Sequence, residues 1–143
     1  MNPRAEAPLG TVAMTAESKA FWEGASRGKL VLPRCRACGR AHYHPRSFCP
    51  HCFADNIETF EASGRGTVYA FSVMRRADPP YAIAYVRLEE GPVVLSRIVD
   101  ADFDAIRCDQ PVRLAFRAAP GGEPVPVFAP EERPSVHMQE IPA

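Results

Sequence analysis

The chain has 143 residues and 15.7 kDa, room for one domain or two very small ones, with 46% hydrophobic and 24% charged residues. Seventeen basic residues balance seventeen acidic ones, which argues against a protein devoted to coating nucleic acid or an anionic membrane. Fifteen prolines disfavour a helix bundle and favour short strands with turns, and no apolar run reaches the ~18 residues of a membrane span.

The stretch 1–14 holds two prolines and no periodicity and reads as a loose arm. Met1 to Thr15 lacks the apolar centre of a secretory leader, so a cytoplasmic location is expected. A short helix is expected over 15–27, with Thr15 as N-cap, Glu17 in the first turn, Arg27 in the last and Gly28 closing it. Phe21 and Trp22 are adjacent, so their side chains leave the helix about 100° apart. Both can pack locally, or one can face the core while the other meets a partner or ligand.

Leu30-Val31-Leu32 reads as a short strand stopped by Pro33. From Gly24 to Ala54 there is no acidic residue, while Arg27, Lys29, Arg34, Arg36, Arg40 and Arg46 all fall there. This is either a solvated basic face or a surface for phosphate or carboxylate.

Cys35-Arg36-Ala37-Cys38 and Cys49-Pro50-His51-Cys52 are two C-x2-C knuckles ten residues apart. Each delivers two thiolates from a tight turn, the pattern of a tetrahedral zinc site, although iron suits the same ligands. Four thiolates leave no open coordination position, so the metal is expected to be structural. A dication with four thiolates carries −2, which the neighbouring Arg and Lys offset. His42 and His44 would share a strand face and are spare ligands at best, as is His51.

After Thr59 the chain turns β-prone. Five strands are expected at 66–74, 81–88, 93–99, 112–117 and 125–128. Val112, Leu114 and Phe116 alternate with Arg113, Ala115 and Arg117, as in a half-buried strand. The second and third are apolar throughout, as if covered on both faces, and Glu89-Glu90-Gly91-Pro92 suits a hairpin between them. Five strands in about 65 residues suggest a small closed barrel. The residues from 131 onward are polar and Pro-rich, so a mobile tail is expected.

Other motifs fail. The Asp100–Asp104 run lacks the Gly and Glu of a calcium loop, and Gly64-Arg65-Gly66 is a turn or bulge at strand entry. Cys108, the lone thiol outside the knuckles, reads as packing rather than as a nucleophile.

Phe21-Trp22, Gly28-Lys29-Leu30, the Cys35–Gly39 knuckle, Pro45-Arg46-Ser47-Phe48-Cys49-Pro50-His51-Cys52 and Gly64-Arg65-Gly66-Thr67-Val68-Tyr69 occur here in that order. The chain thereby resembles the zinc-ribbon plus OB-fold family of acyl-CoA-associated proteins, small partners of thiolase-like enzymes. The resemblance implies a mainly β fold. Its parts are an N-terminal arm and helix (1–33), a rubredoxin-like zinc ribbon (34–60), a five-stranded OB-fold barrel (61–130) and a flexible tail (131–143). It implies a non-catalytic subunit in a hetro-oligomer with a thiolase, acetyltransferase, lipid-transfer-type aldolase or hydratase acting on coenzyme A thioesters, including steroid side-chain intermediates. The family's catalytic Cys and His belong to the partner enzyme.

Residue type alone offers Arg34, Arg36, Arg40, Arg46 and Arg65 to the phosphates of coenzyme A, and Trp22, Phe48 or Tyr69 to its adenine or arm. Phe21 and Trp22 are the candidate partner contacts. The alternative is a single-stranded nucleic-acid binder, since OB barrels and zinc ribbons serve that role. Against it, residues 61–128 carry eight basic and nine acidic side chains. An acyltransferase using Cys108 is a third reading.

Overall fold

The computed structural model describes residues 6–131. Helix α1 spans Lys19–Ser26 and is followed by β1 (Val31–Cys35) and β2 (Ile57–Glu61), which form a two-stranded antiparallel sheet. The next five strands are β3 (Arg65–Met74), β4 (Tyr81–Leu88), β5 (Val93–Ile98), β6 (Pro111–Ala118) and β7 (Pro124–Pro130). They close a barrel in the order β3-β4-β5-β7-β6, the OB arrangement expected from the sequence.

The helix is shorter than expected. Thr15 does not cap it. Instead the Ser18 hydroxyl accepts from the Thr15 amide at 2.9 Å, and the Ser18 carbonyl takes the first helical bond, from Trp22. Ser18 is therefore the N-cap, and Glu17 precedes the first turn. At the other end Gly28, at φ +76°, donates to Ala25 while Lys29 donates to Gly24. These two bonds form a Schellman closure that only a left-handed residue allows. Gly24 is needed for close packing: a Cβ there would sit 2.8 Å from Cβ of Val31.

Pro33 does not stop β1. The ladder to β2 uses the opposite edge of the strand, with Arg36 donating to Asn56 and Ala62 to Leu30. The Pro33 edge faces residues 40–42, where its carbonyl accepts from His42 at 3.1 Å. A missing N–H there leaves the β1–β2 pairing intact. His42 and His44 do not share a strand face, because only Ala41 makes a bridge, to Arg34.

The barrel is wound from β3, which bends at a bulge between Val68 and Ala70 and so pairs with both β4 and β6. Gly66 lies where these strands crowd; a Cβ would meet the Arg87 carbonyl oxygen and Cγ1 of Val86, the latter at 2.9 Å. Closure comes at β5 and β7, joined in parallel at Ile98 and Phe128, with Val99 donating to the Phe128 carbonyl at 2.8 Å. β4 is not covered on both faces. Ala82, Ala84, Val86 and Leu88 are buried, while Tyr85 and Arg87 are exposed.

One apolar core runs through all parts. Phe21 of α1, Leu30 before β1 and Leu32 of β1 pack with Val68, Val86, Ile98, Val112 and Phe128 of the barrel. Burial of each such side chain contributes about 1.5–3 kcal/mol, so the helix and ribbon are held by the barrel's own core. Of the tail expected over 131–143, Glu131 is described and donates to the Pro111 carbonyl at 3.0 Å, and the rest lies outside the described residues.

Candidate functional site

The two knuckles bring Cys35, Cys38, Cys49 and Cys52 together, with all four sulfurs within 4.8 Å of one another. Sγ of Cys35 lies 3.6 Å from that of Cys52, and Sγ of Cys38 lies 3.7 Å from that of Cys49. A zinc tetrahedron with bonds of about 2.3 Å has edges of about 3.8 Å, so the donor set and spacing fit the ion. Cys35 and Cys49 are buried, whereas Cys38 and Cys52 reach the surface. Amides point at the sulfurs: Cys38 N–H at Cys35 and His51 N–H at Cys49, at 3.5 and 3.3 Å.

Burial raises the Cys49 thiol, but the amides of Cys52 and His51 outweigh it and bring the group down to about 7. Cys52 receives a lowering bond from Ala54, yet burial and the neighbouring thiols push it up to about 11. Without a cation a thiolate thus forms on Cys49 before Cys52; zinc, when bound, would stabilise all four as thiolates. The Cys38 and His51 amides then orient the sulfurs and share their charge.

The ribbon's basic residues divide on inspection. Arg36 pairs with Glu58 at 3.2 Å and Lys29 with Glu61 at 3.6 Å, both acids on β2. Arg34 lies 4.0 Å over the Phe60 ring. The guanidinium offered to a ligand is therefore engaged by the chain itself. Arg40 and Arg46 are exposed and form no ion pair among the described residues. His42 is buried, with neither ring nitrogen hydrogen-bonded. Burial, then His51 and Arg46, hold its pKa below the usual value, which favours the neutral ring.

Phe21 is not available to a partner. It is 8% exposed and packs in the core, edge-on to Trp22 at 4.9 Å. Trp22 is half-buried and lines a groove of about 230 Å³ with Ile83, Leu95 and Pro126.

Arg65 and Tyr69 do meet a common setting, on the outside of β3. Tyr69 is exposed, with the Arg87 guanidinium 4.6 Å above its ring. Arg65 stands directly opposite Arg113 across β3 and β6, a like-charge pair relieved among the described residues by Glu131 at 3.8 Å. Beside them Tyr85 and Leu95 face each other across β4 and β5, both about half exposed. This wall of the barrel combines three arginines with apolar and aromatic surface. Arg87, Tyr85 and Leu95 lie in stretches that read as apolar throughout, and although the alternation of β6 already turns Arg113 outward, only register sets it opposite Arg65.

A cavity of about 700 Å³ lies elsewhere and is lined by none of the expected site residues. Its arginines are all engaged. Arg75 pairs with Asp104 at 2.8 Å, and Arg117 with Glu6 and Asp100 at 2.9 and 2.7 Å. Arg97 donates to the carbonyls of Ala7 and Pro8 at 2.8 and 2.9 Å. The cavity mouth thus anchors the arm that precedes α1. Cys108 is exposed rather than packed.

A family model described as ChsH2, rubredoxin-like zinc ribbon domain matches residues 22–58, and one described as ChsH2, C-terminal OB-fold domain matches residues 60–117. A DUF35 domain-containing scaffold protein of Methanothermobacter thermautotrophicus is 35% identical over 98 residues, 64% of this chain and 74% of the relative. A probable enoyl-CoA hydratase alpha subunit of Thermomonospora curvata is 35% identical over 127 residues. That match covers 85% of this chain but 39% of the relative, so the chain spans well under half of that protein. Among solved structures, an Ltp2-ChsH2(DUF35) aldolase chain superimposes with TM-score 0.75 at 32% identity, covering 84% of this chain and 98% of that one.

Proposed function

This chain belongs to the DUF35 family, whose ChsH2 members join a rubredoxin-like zinc ribbon to an OB-fold, and from that premise we propose that it is a non-catalytic accessory subunit of a thiolase-like or hydratase-type enzyme. The observation that carries the reading is the outer wall of the barrel. Tyr69, Tyr85 and Leu95 are 49–55% exposed on neighbouring strands, and such contiguous apolar surface marks an interaction site. The relatives' names supply the class of partner, an enoyl-CoA hydratase in one case and an aldolase assembly in another.

In this reading the zinc fixes the ribbon and takes no part in chemistry, because its four thiolates fill the coordination sphere. Arg113 meets a phosphate group of a coenzyme A thioester, Arg65 and Arg87 join it by exchanging Glu131 and the Tyr69 ring for the ligand, and Tyr69 then meets its adenine or arm. Turnover belongs to the partner, in lipid or steroid side-chain degradation. No helix among the described residues is long and apolar enough to cross a membrane. Five cysteines outside any disulfide suit a reducing compartment, which supports a cytoplasmic setting.

The test is native purification of the tagged full chain from its source, with mass spectrometry of co-purifying proteins and metal analysis of the same sample. A stoichiometric thiolase-, aldolase- or hydratase-type enzyme and one zinc per chain are expected. Recovery of the chain alone would refute the assignment. Calorimetry of coenzyme A against the assembled complex should give an affinity that Arg65→Ala or Tyr69→Ala weakens about tenfold; unchanged affinity removes the ligand from this wall. The nucleic-acid alternative requires oligonucleotide affinity that falls steeply with salt.

A further inference from the structure

The two knuckles are built on one plan. In the first, Gly39 donates to the Cys35 carbonyl at 2.8 Å and Cys35 donates to Arg40 at 2.9 Å. In the second, Phe53 donates to Cys49 and Cys49 to Ala54, both at 2.8 Å. Phe53 thus occupies the slot that glycine fills in the sister turn. Its backbone follows suit, with φ +68° against +80° for Gly39. Asp100 and Asp109 are the other non-glycine residues with positive φ among those described, and aspartate visits that region with help from its own side chain. For a bulky aromatic the conformation is an outlier held by its surroundings.

The strained residue does not repay its conformation by burial. Phe53 is 74% exposed and stacks at 6.4 Å, 29° between planes, on Phe48, itself 45% exposed. Glycine would satisfy the turn without strain and without displaying an apolar ring. A side chain kept against both penalties on a metal-clamped turn is a preorganised contact.

The surrounding charge identifies what it contacts. Arg40 and Arg46 are exposed and form no ion pair among the described residues, whereas Arg36 is paired with Glu58, Arg34 lies over Phe60 and Glu17 accepts from the Ser47 amide. Arg46 lies two residues before Phe48, and Arg40 directly follows Gly39 at the other knuckle. A second copy would set Arg40 and Arg46 against their own counterparts, and the two faces would repel. We propose that Phe53 and Phe48 form an aromatic knob that docks into an apolar pocket rimmed by carboxylates on the partner enzyme. This rests on the accessory-subunit reading and adds the contact itself, separate from the barrel wall.

The experiment uses the full chain and the enzyme recovered with it, measuring affinity by biolayer interferometry for wild type, Phe53→Gly, Phe53→Asn and Phe48→Ala. Glycine and asparagine both accept the left-handed turn, so each variant should fold and retain one zinc, and Phe53→Gly should melt no lower than wild type. Each should bind the enzyme at least tenfold more weakly, as expected for a central aromatic anchor. Arg40→Gln with Arg46→Gln should flatten the salt dependence of binding. Affinities within twofold of wild type overturn the knob while leaving the accessory reading intact. Zinc loss by Phe53→Gly also overturns it, because the ring would then serve the fold. So does unchanged enzyme affinity with loss of self-association or of binding to a fluorescent oligothymidylate. Absence of any co-purifying enzyme removes both readings together.

Discussion

Phe128→Ala tests how the barrel is held shut. The ring is 1% exposed, and its residue touches both partners of the final strand, paired with Ile98 of β5 and Leu114 of β6. Truncation removes roughly 130 Å² of buried apolar surface, or about 3 kcal/mol at ~25 cal/mol per Å². The residual cavity brings the total to about 3–5 kcal/mol. At about 3 °C per kcal/mol for a chain of this size, the melting midpoint should fall by about 9–15 °C. Phe128→Leu keeps most of the volume and should cost about 1–2 kcal/mol. Scanning calorimetry and guanidinium titration measure the loss, with zinc assayed on the same samples. The ribbon should stay loaded, because none of the four cysteines touches this strand pair. A fall of less than 3 °C with unchanged denaturant slope would show that the closure does not depend on this ring.

Three further expectations follow from other parts of the molecule. Gly66→Ala forces a Cβ against the Arg87 carbonyl and Val86, so circular dichroism melts should show a loss of about 2–3 kcal/mol; a neutral effect would mean the strands separate freely there. Cys49→Ser should reduce zinc from one ion per chain to near none by plasma mass spectrometry and loosen the ribbon, since structural zinc contributes folding energy directly; full occupancy would contradict the four-thiolate site. Glu17 accepts from the Ser47 amide at 2.8 Å, and that bond, then Arg46 and His44, hold its pKa below the usual 4.5. A depressed carboxylate pKa stabilises the fold above the unfolded value and is lost as pH falls through the folded one. The gap in stability between wild type and Glu17→Gln should therefore be present at neutral pH and close on acidification below about 4.5; a gap that widens in acid would reverse the assignment.

The barrel strands were legible because each carries its own apolar pattern between turn residues, and the knuckles because C-x2-C spacing is the geometry of the site. Strand β2 was not, since Ile57-Glu58-Thr59-Phe60-Glu61 offers only two apolar residues and gains its place from pairing with β1. Arg34 and Phe21 were assigned by residue type to a ligand and a partner, and the fold uses both internally, against Phe60 and in the core. Uniform apolarity in β4 was read as two covered faces; register reveals that Tyr85 points out. Phe53 drew no notice, although a signal was present: its sister knuckle has glycine at the same step after the second cysteine.

Gly24 has a mechanical consequence. Without a side chain there, α1 rests directly on Val31, and Phe21 beside it enters the barrel core. Helix, ribbon and barrel therefore share one core rather than hanging as two beads on a string. Whatever grips the metal-bearing end also sets the bearing of the far wall, so a bulkier residue at position 24 would mis-aim that wall before it unfolded anything.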